Sequence, residues 1–115
     1  MAVNLRDYLR AKMNYRMEYG PFPLSGRTGE LKHTTVMDIG GGGLLFRSSE
    51  ELAAGRQIVI KIFLAGWREE NNDLVEDVDS EALLTAIAEV RRSEFDQNKQ
   101  CYLTAVQFLG RILNQ

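Results

Sequence analysis

Two arginines stand four residues apart in Arg6-Asp-Tyr-Leu-Arg10, and further along Asp38 precedes an unbroken glycine run, Gly40 to Gly43. A guanidinium is a permanently charged planar fork of donors that also stacks on flat rings, so a pair of them suits a small anion. Asp38 supplies an acceptor for N–H donors. The glycines can bring bare backbone amides up to a ligand, or adopt backbone angles closed to other residues. Each feature also has a plain structural use. Arginines at this spacing commonly mark a solvated helix face, an aspartate at a strand end can bond its own turn, and glycine runs often make tight turns. Other chemistry-bearing residues are few. His33 is the only histidine and has no acid or nucleophile close to it in sequence. The single Cys101 excludes an internal disulfide or a cysteine-based metal cluster and reads as a small apolar group in a reducing compartment, which leaves almost no room for catalytic zinc. Arg16 in Tyr15-Arg16-Met17 reads as a strand residue covering its neighbours with an aliphatic stem, and Trp67 as an anchor for core or partner.

The chain that must position these groups has 115 residues, enough for one core and too few for two ordinary domains. Its 44% hydrophobic and 26% charged residues match a soluble globular protein. With 14 basic against 16 acidic residues, no extensive basic surface is available for DNA or RNA, whereas a small anionic ligand stays open. The charge is unevenly spread. Up to Lys32 six basic residues oppose Asp7, Glu18 and Glu30, while from Arg68 to Glu81 seven acids oppose one arginine. The first stretch is a basic arm. The second, preceded by Gly66 and containing Asn71 and Asn72, reads as an exposed acidic loop at about 67–81, without the ligand spacing or central glycine of a calcium loop. No apolar run approaches the ~20 residues of a membrane span, and the opening MAVNLRDYLRAK lacks the apolar core of a signal peptide, so a cytoplasmic protein without membrane insertion is expected.

The elements are mostly strands. A short strand over Asn14 to Tyr19 ends in the proline- and glycine-rich GPFPLSGRTG, and Leu31 to Asp38 carries the β-branched Thr34, Thr35 and Val36. Arg56 to Leu64 has the clearest period of two, with Ile58, Ile60, Ile62 and Leu64 on one face. Gln100 to Leu109 repeats it, with Tyr102, Thr104, Val106 and Phe108 opposite Leu103, Ala105, Gln107 and Leu109. One segment is locally ambiguous. Ala82, Leu83, Ala86, Ile87 and Val90 recur at helical spacing after Asp79 or Ser80 as a cap, yet Leu83 to Arg91 also fits a strand joined by SEFDQNKQ to the last one.

The glycine run admits two resemblances. Asp38-Ile-Gly-Gly-Gly is similar to the glycine-rich first motif of methyltransferases, which cradles S-adenosylmethionine at a strand-to-helix turn. That fold needs alternating strands and helices, only 72 residues follow Gly43, and the next strong strand ends Phe63-Leu64 without an acid to hold a ribose. The second resemblance joins the turn to the arm. Arg6-Asp-Tyr-Leu-Arg10 and Asp38-Ile-Gly-Gly-Gly-Gly43, in that order and flanking a strand, resemble the paired RxxxR and (D/N)xSxxG signature of the PilZ family. RQIVIKIFL, Ala88-Glu-Val-Arg-Arg92 and Tyr102-Leu-Thr-Ala-Val-Gln-Phe-Leu109 extend the resemblance over nearly the whole chain.

This resemblance implies an all-β fold, a six-stranded antiparallel barrel with a short or missing C-terminal helix, and thereby strand for Leu83 to Arg91. It implies one domain over 1–115, with a flexible arm at 1–12 and the barrel at 13–115. The implied function is regulatory and not enzymatic: cyclic di-GMP binds at Arg6, Arg10, Asp38, Gly40 and Gly43, and the ordered arm relays the signal to a protein target. No catalytic residue, metal or cofactor is implied, and the chain would be a monomer or homodimer. The residue chemistry agrees, because arginine forks match guanine O6 and N7 or phosphate, and Asp38 matches guanine N–H donors. Gly40 departs from the family pattern by standing where serine is usual. Losing one neutral hydrogen bond costs about 0.5–1.5 kcal/mol, a weakening of roughly two- to twelvefold. A PilZ-like interaction module that binds no cyclic di-GMP is the second expectation, and a nucleotide-cofactor enzyme the third.

Overall fold

Alternation of apolar and polar residues sets the architecture. In the computed structural model, which describes residues 15–22, 31–40, 42–71 and 73–113, six strands form and every pairing between them is antiparallel. They are β1 (Arg16–Pro21), β2 (Lys32–Gly40), β3 (Gly43–Ser48), β4 (Gln57–Glu70), β5 (Asp73–Asp96) and β6 (Cys101–Leu113). The order around the sheet is β1-β2-β3-β6-β5-β4, and β1 pairs with both β2 and β4, so the sheet closes on itself as a barrel. No helix is present among the described residues, and accordingly none long and apolar enough to cross a membrane. The expected arm at 1–12, with Arg6 and Arg10, lies outside the described residues.

Closure turns one face of every strand into a common interior, which in a barrel this small is filled by side chains. Ile58, Ile60, Ile62 and Leu64 of β4 are buried there with Met17, Val36, Ile39, Leu44 and Phe46, and the Tyr19 and Phe46 rings meet with centroids 4.9 Å apart. The ambiguous segment is strand. Ala82, Leu84, Ala86, Ala88 and Val90 are all buried, a strict period of two in which alanine serves where space is short. At 24 residues β5 is far longer than a usual strand, and its two ladders are offset along it, with β4 from Asp73 to Glu89 and with β6 from Leu84 to Asp96.

The acidic run departs from expectation. Residues 67–81 are not a loop: β4 continues to Glu70, the chain reverses through Asn71, and β5 returns from Asp73, pairing Trp67 with Glu76 and Glu70 with Asp73. Asn71 takes a φ of 53°, a left-handed conformation that asparagine tolerates. Charge density signals solvation, but a strand needs only one packed face. Trp67 and Leu74 are its buried anchors, while the carboxylates around them are exposed or half-buried.

Candidate functional site

The barrel end that carries the glycine turn is built by local backbone requirements. Gly40 of β2 pairs with Gly43 of β3, which leaves two residues to reverse the chain, and Gly42 takes a φ of +95° that strongly favours glycine. Gly43 is required for a different reason. A Cβ there would run into the backbone carbonyl of Val106 on β6, so this glycine admits the close approach of two strands. The turn joins antiparallel strands and leads into no helix, so the strand-to-helix cradle of the methyltransferase-like reading does not form.

Asp38 owes its position to an irregularity. Val36 and Ile39 both face the interior, and the register of β2 against β3 shifts between Val36 and Asp38. Strict alternation would aim Asp38 inward beside Val36; the bulge turns it out, where it is exposed. Asp38 pairs with Leu45, Leu45 with Ala105, and Ala105 with Arg92, one cross-strand row over β2, β3, β6 and β5. The two end residues are exposed and the two middle ones half-buried. Together with Gly43, Leu44 and Val106 they line an open depression of about 310 Å³. Asp38 and Gly43 were expected in a common site and are brought together. Gly40 adjoins them through the turn, and Arg6 and Arg10 lie outside the described residues.

The start of β1 lies at the same end. The Tyr15 carbonyl accepts the Val36 N–H at 2.8 Å, two residues before Asp38 in sequence. The Tyr15 hydroxyl in turn accepts the indole N–H of Trp67 at 2.8 Å, with both side chains buried, so Trp67 anchors the core. Arg16, left out of the site on sequence grounds, places its guanidinium 4.0 Å over the Phe63 ring and 3.7 Å from Glu81. His33 pairs across the strands with Glu18, its Nδ1 3.3 Å from Oε2.

Other polar groups near the depression are held by one another. Arg47 donates to Asp96 at 3.0 Å and to the Cys101 thiol at 3.6 Å. The bond from Arg47, with those from the backbone amides of Asn98 and Lys99, holds the Asp96 carboxyl below its ordinary range. Beneath the row runs a chain of hydroxyls. Ser48 donates to the Glu50 carbonyl at 2.8 Å and therefore accepts from Thr104, 2.8 Å away. Thr104 then accepts from Ser93 at 2.9 Å, and Ser93 accepts the Leu52 amide at 3.3 Å. Every proton in this chain has one direction, set by its two backbone ends. No cluster of three or more metal-ligating side chains occurs among the described residues.

Sequence reasoning missed Arg92. A second bulge, between Val90 and Arg92, puts both Arg91 and Arg92 on the outer face, and the paired arginines of Glu89-Val-Arg-Arg92 were the only available signal. The arrangement offers an acceptor, an apolar floor and a cation in line, a surface suited to a flat polar ligand with an anionic group. No family model, curated protein or solved structure matches this chain.

Proposed function

We propose that this chain is a cyclic di-GMP-responsive regulatory domain of the PilZ type, acting in the cytoplasm of a bacterium on a protein target. What supports the reading is the place of Tyr15, whose carbonyl accepts the amide of Val36, two residues before Asp38 in sequence. Arg10 precedes Tyr15 by five residues, a reach of up to about 16–18 Å in extended chain, so both halves of the paired signature can meet over one ligand. The closed antiparallel six-stranded ring agrees with the barrel that the resemblance implies.

In this reading the Asp38 carboxylate accepts from the ring and amino N–H groups of a guanine, and Arg6 and Arg10 close from the other side. Their guanidinium planes stack on the base or take guanine O6, N7 or phosphate oxygens in bidentate fashion. No bond is made or broken. Signalling follows from the arm, whose bound and free arrangements present different surfaces to the target.

The test is calorimetric titration of cyclic di-GMP into the purified chain, with Arg10→Ala and with GTP in place of the ligand. Saturable binding at micromolar or tighter Kd, about −8 kcal/mol or better, weakened at least tenfold in the variant and absent with GTP, is expected. A second reading is favoured by Gly40, which lacks the usual hydroxyl: a PilZ-like module that engages its partner without ligand. Absence of binding by calorimetry and by an orthogonal method would decide for it.

A further inference from the structure

We propose that Arg92 is a third ligand-binding arginine, and that it takes a phosphate of the nucleotide whose base is held at Asp38. This rests on the cyclic di-GMP reading and assigns the far half of that site. Two independent bulges carry it. On β5 Val90 faces the interior, and Ser93 points inward to the buried Thr104, so strict alternation cannot hold between them. The extra residue at Arg91 turns Arg92 outward, just as the bulge before Asp38 turns that carboxylate out of β2. Each irregularity spares the core a charge, and each delivers the charge to the same row of paired residues. Bulges re-aim side chains in this way beside binding sites.

Asp38 and Arg92 line one depression, with three strand-to-strand steps around the curved barrel wall between them. Leu45 and Ala105 between them supply an apolar floor without charge. A guanine bonded at Asp38 lays its ribose over that floor and turns its phosphate toward Arg92. A free base or a free phosphate reaches only one end. The guanidinium is available for the contact: its side chain is 67% exposed, and its Nε lies 3.5 Å from a Glu94 carboxylate that is equally exposed, a pairing that water screens.

The two ends therefore divide the recognition, and the division is measurable. Cyclic di-GMP and cyclic di-AMP are titrated into the wild-type chain, Arg92→Ala, Arg92→Lys and Asp38→Ala, with thermal unfolding of each as a check on folding. Arg92→Ala weakens cyclic di-GMP binding about tenfold or more and makes the remaining affinity less sensitive to salt. It does so without changing the preference for guanine over adenine. Arg92→Lys recovers part of the affinity, and Asp38→Ala collapses the base preference. If Arg92→Ala binds as the wild type does while Asp38→Ala and Arg10→Ala are impaired, the phosphate assignment falls and the cyclic di-GMP reading stands. An altered base preference in Arg92→Ala also overturns it, because Arg92 would then read the base. Absence of wild-type binding to either dinucleotide overturns both.

Discussion

The outer row over β2, β3, β6 and β5 and the arm formed by β4 and β5 both carry charge, and they dispose of it in opposite ways. In the row, Asp38 and Arg92 stand at the ends of an apolar floor, each turned out by a bulge, with the Arg92 guanidinium 3.5 Å from the exposed Glu94 carboxylate. In the arm, part of the charge is bonded locally. Arg68 bonds Glu70 at 2.6 Å and Asp77 at 3.1 Å, and Asp77 also accepts from the Ser80 hydroxyl and the Asp79 amide. These bonds, that of Ser80 first, hold the Asp77 carboxyl below its ordinary range. The arm has far more charge, and its Arg68 and Asp77 hold more bonds than Arg92 does in the row. A count of acids and bases therefore does not distinguish the two regions; how each group is bonded does.

The contrast can be broken hardest at Gly43. Gly43→Ala drives a Cβ into the Val106 carbonyl, a backbone atom that cannot swing aside, and should cost about 3 kcal/mol. Thermal unfolding should show a midpoint lowered by on the order of 10 °C, and the floor of the row would shift with the β3–β6 ladder. An unchanged midpoint would show that the two strands part easily.

A smaller effect is expected from Thr104→Val beneath the row. The substitution keeps the shape and removes the central link of the hydroxyl chain, leaving Ser93 without its acceptor and Ser48 without its donor. Denaturant unfolding should register a loss of about 1–3 kcal/mol, with the cyclic di-GMP affinity changed little, since Thr104 faces the interior.

The smallest is expected in the arm. The depressed native pKa of Asp77 means that its contribution is complete above the ordinary carboxylate value and fades as pH falls through the native one. Asp77→Asn should therefore lower the thermal midpoint slightly near neutrality, with the two curves converging below about pH 4. Its ligand affinity should equal that of the wild type. A variant that bound more weakly would make the arm part of the site.

Much of the barrel was legible because its signal is local. The isoleucines of β4 alternate without a break, and β6 places Thr104, Val106 and Phe108 on the core side as its pattern predicts. The β5 segment was ambiguous because Ala82, Ala86 and Val90 satisfy a helical and a strand period at once, and only pairing with β4 and β6 decides between them. The arm was misread because its register depends on Trp67 meeting Glu76 across a turn, which composition does not reveal. Asp38 and Gly43 could be picked out from their motif, although the need for Gly43 lies in the carbonyl of Val106, remote in sequence. Arg92 could not, since a bulge changes which face a residue occupies without leaving a mark in the hydrophobic pattern.

Closure of the barrel has a consequence for how copies of this chain meet. A closed ring offers no free strand edge to a neighbour. Among the described residues, β1 pairs with β4 only as far as Phe63, and β6 with β5 only from Leu84, so residues 67–76 pair with nothing but each other. Here two unpaired rows of main-chain donors and acceptors project beyond the ring, a ready template for intermolecular β-sheet growth. Every copy that approaches along them brings Glu69, Glu70, Asp73 and Glu76 against the same carboxylates. The acidity of the arm then sets like charges against one another wherever two copies meet along this stretch of backbone.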